Sequence, residues 1–347
     1  MAKKIRQSNV ELLRIITMIL VMIVHANFRA LSAPTVADTV SAPSSAFLRF
    51  LTESFSIICV NVFVLISGWF GIHFNWKRFI EFIFQVFFFG IIIYAVICLV
   101  DPHKIRLIKN VFMTNAWNYW FVKCYLFLYI ISPILNAFVE KATKKEFLTI
   151  LILFFIIQTF YGWATNGITW FNRGYSGISF AGLYLLARYV RLYPAKWFCH
   201  SLKFDLLIYL IFVAVNTVCA FFCTRTGHAS ISTRLFLYTS PFVILAAVHF
   251  LLIFTKFTFT SKTINWIAAS CFAIYLTHSN SFLAGPCYDH VIRNWFNTET
   301  TLYFMFYTGI LMFCVFWISI LSDKIRLFIF NIVYNRFSPQ IGTNKHE

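Results

Sequence analysis

Three polar residues share one stripe of an otherwise apolar helix near the start of the chain. They are Glu11, Arg14 and His25, in VELLRIITMILVMIVH. At about 100° per residue Arg14 and His25 are nearly eclipsed, and Glu11 lies within about 60° of Arg14. His25 then stands about 16 Å further along the axis. Ionisable groups in apolar helices are costly and mark functional positions. Histidine titrates near neutrality and suits general-base work on a hydroxyl. The plain alternatives are an i,i+3 surface pair for Glu11 and Arg14 and a satisfied packing imidazole for His25.

Further along, Asn61 and Ser67 sit in a second apolar run, where amides and hydroxyls commonly join helices. Lys77 and Arg78 follow it. They read either as topology signals or as cations that hold phosphate groups. Glu81, Glu53, Lys123, Asp205, His249 and His278 complete the polar set within or beside apolar runs. Glu53 and Lys123 are expected near an outer boundary, snorkelling. His278 is expected at the depth of His25. No GxSxG, HExxH, P-loop or dinucleotide glycine motif is present, and no metal site is expected. The nine cysteines show no CxxC spacing and read as small apolar packing residues.

The elements that must carry these groups are transmembrane helices. The 347 residues are 60% hydrophobic and 12% charged, about half the charge of soluble domains. Apolar runs of about 20 residues recur. Ten spans are expected, at 12–30, 52–72, 79–100, 119–139, 147–164, 174–190, 204–223, 234–254, 264–284 and 301–321, with 322–347 as a cytoplasmic tail. The fold class is therefore all-α, a polytopic transmembrane bundle forming a single domain. The first run is too long for a cleaved signal and is read as a permanent helix. With both termini cytoplasmic, roughly two thirds of the 29 Lys and Arg residues fall inside, and omitting the sixth crossing reverses the bias. Trp117, Trp120, Trp163 and Trp170 then mark the outer boundary, and Trp69, Trp76, Trp197 and Trp266 the inner one. The longest outer loops are 31–51, 101–118 and 285–300. The apolar stretch 325–334 suits an interfacial helix. The net charge of +17 is thus a topology signal, and nucleic acid is excluded as a partner.

Five segments in order resemble the acyltransferase 3 family. They are Val10–His25, then NVFVLISGWF from Asn61 to Phe70, and the basic pair Lys77 and Arg78. After these come WNYWFVKCYLFLYIISPILN from Trp117 to Asn136 and SCFAIYLTH from Ser270 to His278. The family's basic RxxR motif is only partly matched, because Glu81 stands where the motif has arginine. The resemblance implies an integral membrane acyltransferase of the plasma membrane. It would move an acyl group, acetyl as the commonest, from cytosolic acyl-CoA to a hydroxyl of a cell-surface glycan or lipid-linked precursor. His25, Arg14 and Glu11 would be catalytic, His25 as general base or as transient acyl carrier, and Lys77 and Arg78 would hold the donor. Asn61, Ser67, Trp120 and His278 would support the acceptor or the site. Acyl-CoA is expected as a substrate, with no permanently bound cofactor. No added hydrolase-like domain is expected. A transporter or flippase for an amphipathic substrate is the alternative from a different class. A membrane glycan polymerase would want more outer carboxylates than are seen.

Overall fold

A computed structural model describes residues 7–101, 119–165, 170–194 and 201–337. Trp117, Trp197, Cys199, most of the 101–118 loop and several of the basic residues used for orientation (Lys3, Lys4, Arg6, Lys104, Arg106, Lys109, Lys196 and Lys345) lie outside them. Among the described residues every regular element is helical. In chain order the helices are α1 (Ser8–Val24), α2 (Val36–Ser41), α3 (Pro43–Ser56), α4 (Cys59–Phe70), α5 (Trp76–Val100), α6 (Trp120–Lys141), α7 (Lys144–Ile157) and α8 (Gly177–Leu192). They continue with α9 (Leu202–Arg225), α10 (Ala229–Leu235), α11 (Pro241–Thr255), α12 (Lys262–Ala268), α13 (Cys271–His278), α14 (His290–Thr298) and α15 (Thr301–Phe337).

Seven described segments are long and apolar enough to cross a membrane: Ser8–Arg29, Pro43–Phe70, Trp76–Val100, Trp120–Lys141, Lys144–Ala164, Leu202–Arg225 and Thr301–Tyr334. The other three expected spans take a different form. Segment 174–190 is α8, of 16 residues, or about 24 Å of helix. Segment 234–254 divides at Ser240, where Pro241 opens a fresh helix of 15 residues. Segment 264–284 breaks twice, around Ser270 and again around Ser279 and Asn280. These short pieces carry polar residues at their ends, where backbone groups are released from the helix ladder. The final helix also departs from expectation. It runs unbroken through residue 321 to Phe337, so 325–334 is its last part rather than a separate interfacial helix.

Burial orders the bundle from inside to outside. The most apolar windows of Pro43–Phe70 and Ser8–Arg29 are 72% and 67% buried, against 17% for Thr301–Tyr334. Leu13, Met18 and Met22 of α1 pack with Leu65 and Ile66 of α4, Ala247 and Leu251 of α11, and Ala273 and Ile274 of α13. The start of α1 is pinned by Asn9, which donates to the Phe254 carbonyl at 2.9 Å, and by Ser8, which meets Asn265 at 3.0 Å. Between α4 and α8 the backbones touch at Gly68. A Cβ there would stand 2.4 Å from the Tyr184 carbonyl oxygen. The 31–51 segment is largely helical and tied down by Arg225, which donates to the Thr39 carbonyl at 3.2 Å.

The Ser-Pro pair inside α6 has a local explanation. Pro133 has no N–H for the Tyr129 carbonyl, which would be left unpaired in an apolar layer. The Ser132 hydroxyl donates to that carbonyl instead, at 2.8 Å.

A buried ionic clasp joins α5 to α15. Arg326, 2% exposed, donates to Asp323 at 2.9 and 3.1 Å and to Glu81 at 3.2 Å. Gln85 completes it, donating to Asp323 at 2.8 Å. Removing one member of a buried ionic set strands the others and costs about 3–5 kcal/mol. Arg326→Leu is therefore expected to lower the unfolding temperature of the detergent-solubilised protein sharply. Glu81→Gln should cost far less, because that side chain is a third exposed. Equal melting curves for wild type and Arg326→Leu would show the clasp to be dispensable.

Candidate active site

The backbone marks His25 before its side chain does. After α1 the helix widens into a π turn over His25–Arg29. A second π turn, Ala284–Asp289, lies beside it. Such widened turns re-aim side chains and recur at functional sites. Arg29 and Asp289 tie the two turns together at 2.9 Å, and Arg29 also lies over the Tyr288 ring, 5.6 Å from its centroid. The Tyr288 hydroxyl donates to the Met22 carbonyl at 3.1 Å, three residues before His25.

The structure brings His25 and His278 together. Nδ1 of His25 and Nε2 of His278 are 2.8 Å apart. The tautomers follow from the far side of the pair. His278 Nδ1 meets the Ile274 carbonyl oxygen, which only accepts, so Nδ1 carries the proton. His278 Nε2 is then an acceptor, and His25 Nδ1 must donate to it. The basic lone pair of His25 is left on Nε2. Ser279 Oγ lies 3.3 Å from His25 Nδ1 and adds to its polar surroundings. Tyr119 holds the end of α13 by donating to the Leu276 carbonyl at 2.6 Å and accepting from Asn280 at 2.8 Å.

His25 lines a narrow cavity, otherwise walled mainly by apolar and aromatic groups that include Met18, Cys59, Phe63, Trp120, Phe121, Tyr238, Phe272 and Tyr275. A second cavity lies toward the other end of α1. Arg14, Ser67, His73, Arg78, Tyr125 and Tyr129 contribute its polar lining. Its floor is the 71–75 loop, held from three sides. Tyr184 accepts from the Ile72 N–H at 3.0 Å and donates to Asn136 at 2.6 Å, and Asn136 donates to the Ile72 carbonyl at 2.8 Å. Tyr129 accepts from the Asn75 N–H at 3.0 Å. Gly71 takes φ of +77°, which suits glycine, and leaves room for the Arg188 guanidinium.

A wall of rings separates the two cavities. Phe121 stacks on Tyr125 with centroids 5.8 Å apart, Tyr125 meets Phe82 at 5.7 Å, and Phe82 stacks on Phe272 at 5.4 Å. Phe82 and Tyr125 face the arginine cavity, and Phe121 and Phe272 face the histidine cavity.

The residues singled out from sequence thus divide among several places. His25 and His278 meet. Arg14 and Arg78 both line the other cavity, and Glu11 accepts from Arg14 at 3.0 and 3.1 Å. The shared stripe on α1 therefore serves two sites rather than one constellation. Ser67 lines the arginine cavity and lies 3.3 Å from the Tyr125 hydroxyl. Lys77 is not among that cavity's lining residues; its Nζ sits 4.7 Å from the centre of the Tyr334 ring. Asn61 holds the Tyr238 carbonyl at 3.0 Å and lines neither cavity. Trp120 lines the histidine cavity. Glu53 is buried and accepts from Asn27 at 3.0 Å, so it does not snorkel. Asp205, wholly buried, pairs with His249 at 2.8 Å and with Lys256, away from both cavities. Sequence reading missed Tyr119, Tyr125, Tyr238 and Asn280, because polar aromatics in an aromatic-rich chain carry no distinguishing pattern.

Among the described residues no group of three or more His, Cys, Asp or Glu side chains could hold a metal ion. No curated protein and no solved structure is similar enough to match the chain. The family model described as an acyltransferase domain, Acyl_transf_3, matches residues 7–321. That match takes in α1 with His25, the arginine cavity and the histidine pair, and the chain belongs to the acyltransferase 3 family.

Proposed function

We propose that this protein is an integral membrane acyltransferase that moves an acetyl group from cytosolic acetyl-CoA to a hydroxyl of a cell-surface glycan or its lipid-linked precursor. It does so in the plasma membrane, with ten crossings and both termini cytoplasmic. One observation carries the reading. A cavity with two arginines and a cavity with a tautomer-fixed histidine lie toward opposite ends of one helix, with a wall of touching aromatic rings between them.

Arg14 and Arg78 supply planar, permanently charged donors suited to phosphate oxygens. Phe79 and Tyr129, on the same cavity, offer rings to a nucleobase. The long arm of the donor then runs past the ring wall and delivers its thioester to the His25 cavity, about 16 Å along α1. There Nε2 of His25 takes the proton of the acceptor hydroxyl as its oxygen attacks the thioester carbonyl. The C–O ester bond forms, the C–S bond breaks, and the imidazolium returns the proton to the departing thiolate. His278 keeps the proton of His25 on Nδ1, so it is a positioning residue for the base. The apolar cavity walls limit competing attack by water.

His25→Ala should reduce transfer of radiolabel from acetyl-CoA to membrane glycan by about 10²–10⁴-fold, with the protein still folded. Retained full activity would rule out His25 as the base. His278→Gln, whose amide oxygen can still accept from His25, should keep more activity than His278→Ala. Identical rates in the two variants would rule out the tautomer argument. Arg14→Gln and Arg78→Gln each remove a charge-assisted contact, worth about 1.5–3 kcal/mol. The KM for acetyl-CoA should therefore rise about 10–100-fold with kcat much less affected. An unchanged donor KM in both would place the phosphates elsewhere.

A further inference from the structure

A third, open cleft adjoins the His25 cavity at Trp120, which lines both. Its other walls come from Lys123 and Phe127 of α6 and from Asn172, Tyr175 and Ser176, just before α8. We infer that this cleft receives the acceptor as a pyranose ring, which stacks in the Trp120–Tyr175 corner and presents its hydroxyl past Trp120 to His25. The inference rests on the acyltransferase reading for its last step, and on the cleft alone for the binding of sugar.

The chemistry of the cleft is that of a saccharide site. A pyranose offers an apolar C–H face and a rim of hydroxyls. The rings of Trp120 and Tyr175 meet at 58° with centroids 4.3 Å apart, forming an apolar corner. Asn172 and Lys123 offer an amide and an ammonium that can pair with a hydroxyl rim, and Ser176, whose proton goes to Ser179, retains one acceptor lone pair. Neither of the other cavities combines rings and neutral hydrogen-bonding side chains in this way at the histidine end of α1.

The backbone gives a second, independent sign. Trp170, Asn172 and Arg173 have φ of 50°, 41° and 56°. Left-handed non-glycine residues cost about 1–3 kcal/mol each and collect at ligand clamps. Here they bring Asn172 to the cleft, and the surrounding contacts hold them there. The Tyr175 N–H donates to the Asn172 carbonyl at 2.9 Å, the Asn172 amide donates to the Tyr175 carbonyl at 3.3 Å, and the Ser176 hydroxyl caps α8 at Ser179 N–H, 3.1 Å away. Gly174, with φ of +98°, lets the loop lie on Tyr238, where a Cβ would come within 2.4 Å. Tyr238 in turn stacks on Trp120 at 5.8 Å and lines the His25 cavity. The strained loop, the cleft and the base are thus one connected assembly.

The test places a reporter at Phe127, which lines the cleft and is 44% exposed. The full chain carrying Phe127→Cys is reconstituted in lipid nanodiscs and labelled with a maleimide, and the rate at residue 127 is read by peptide mass spectrometry. The competitors are methyl glycosides of glucose, galactose, mannose and N-acetylglucosamine, and separately acetyl-CoA. At least one glycoside should slow labelling, acetyl-CoA alone should not, and adding Tyr175→Ala should weaken the protection about tenfold, the loss of one aromatic stack. Protection by no glycoside, protection by acetyl-CoA alone, or protection indifferent to Tyr175→Ala would overturn the assignment. Release of free thiol is followed in separate, maleimide-free samples that hold acetyl-CoA together with the protecting glycoside. Glycoside protection without thiol release would uphold the sugar cleft while removing the acyltransferase mechanism, so the two failures are told apart.

Discussion

Within an apolar layer a polar side chain keeps its place only where another polar group meets it. In this protein the meeting that matters most is the 2.8 Å contact of His25 with His278, between residues 253 positions apart in the chain. It fixes the distance and rotation of α13 relative to α1. It also accounts for the broken form of the segment that follows, because His278, Ser279 and Asn280 must all turn inward at the end of α13. Tyr119 and Asn280 then lock that end to the start of α6. The Arg29–Asp289 pair closes the two π turns above it. The cavities on either side exist because these polar anchors, rather than close apolar packing alone, set the helix spacing.

Much of this was readable in the sequence, for identifiable reasons. The helical class followed from run length and low charge. The stripe of Glu11, Arg14 and His25 was legible because helical periodicity is regular within one helix. What periodicity could not supply was any relation between helices. It put Arg14 and His25 on one face but could not tell that the face serves two cavities. It gave His278 the same depth as His25, but not the hydrogen bond. The uninterrupted spans were read well, and the divided ones poorly. Hydropathy averages over a Ser240–Pro241 or Ser270 break, whereas the backbone must satisfy its carbonyls and N–H groups one at a time.

The departure at Glu81 shows how a local motif depends on distant sequence. An acidic residue at a position where the family pattern has arginine faces Arg326, supplied by the last helix. Arg326 is held by Asp323 one turn away. Reading 322–347 as a tail hid this partner, since a charge beyond the last apparent span looks like an ordinary topology signal. A charged residue in a membrane helix and its counterion need to be read as one feature, even when 245 positions separate them.

The ring wall of Phe82, Phe121, Tyr125 and Phe272 has a physiological side. Two cavities approaching one another along a transmembrane helix are most of the way to being a channel. A continuous file of water between them would let ions leak across the membrane. Stacked rings can tilt apart around a slender, mostly apolar chain and close behind it while remaining dry to hydrated ions. On the proposed reaction, the same packing that shapes the path for the acyl group also insulates the membrane, keeping group transfer electrically silent.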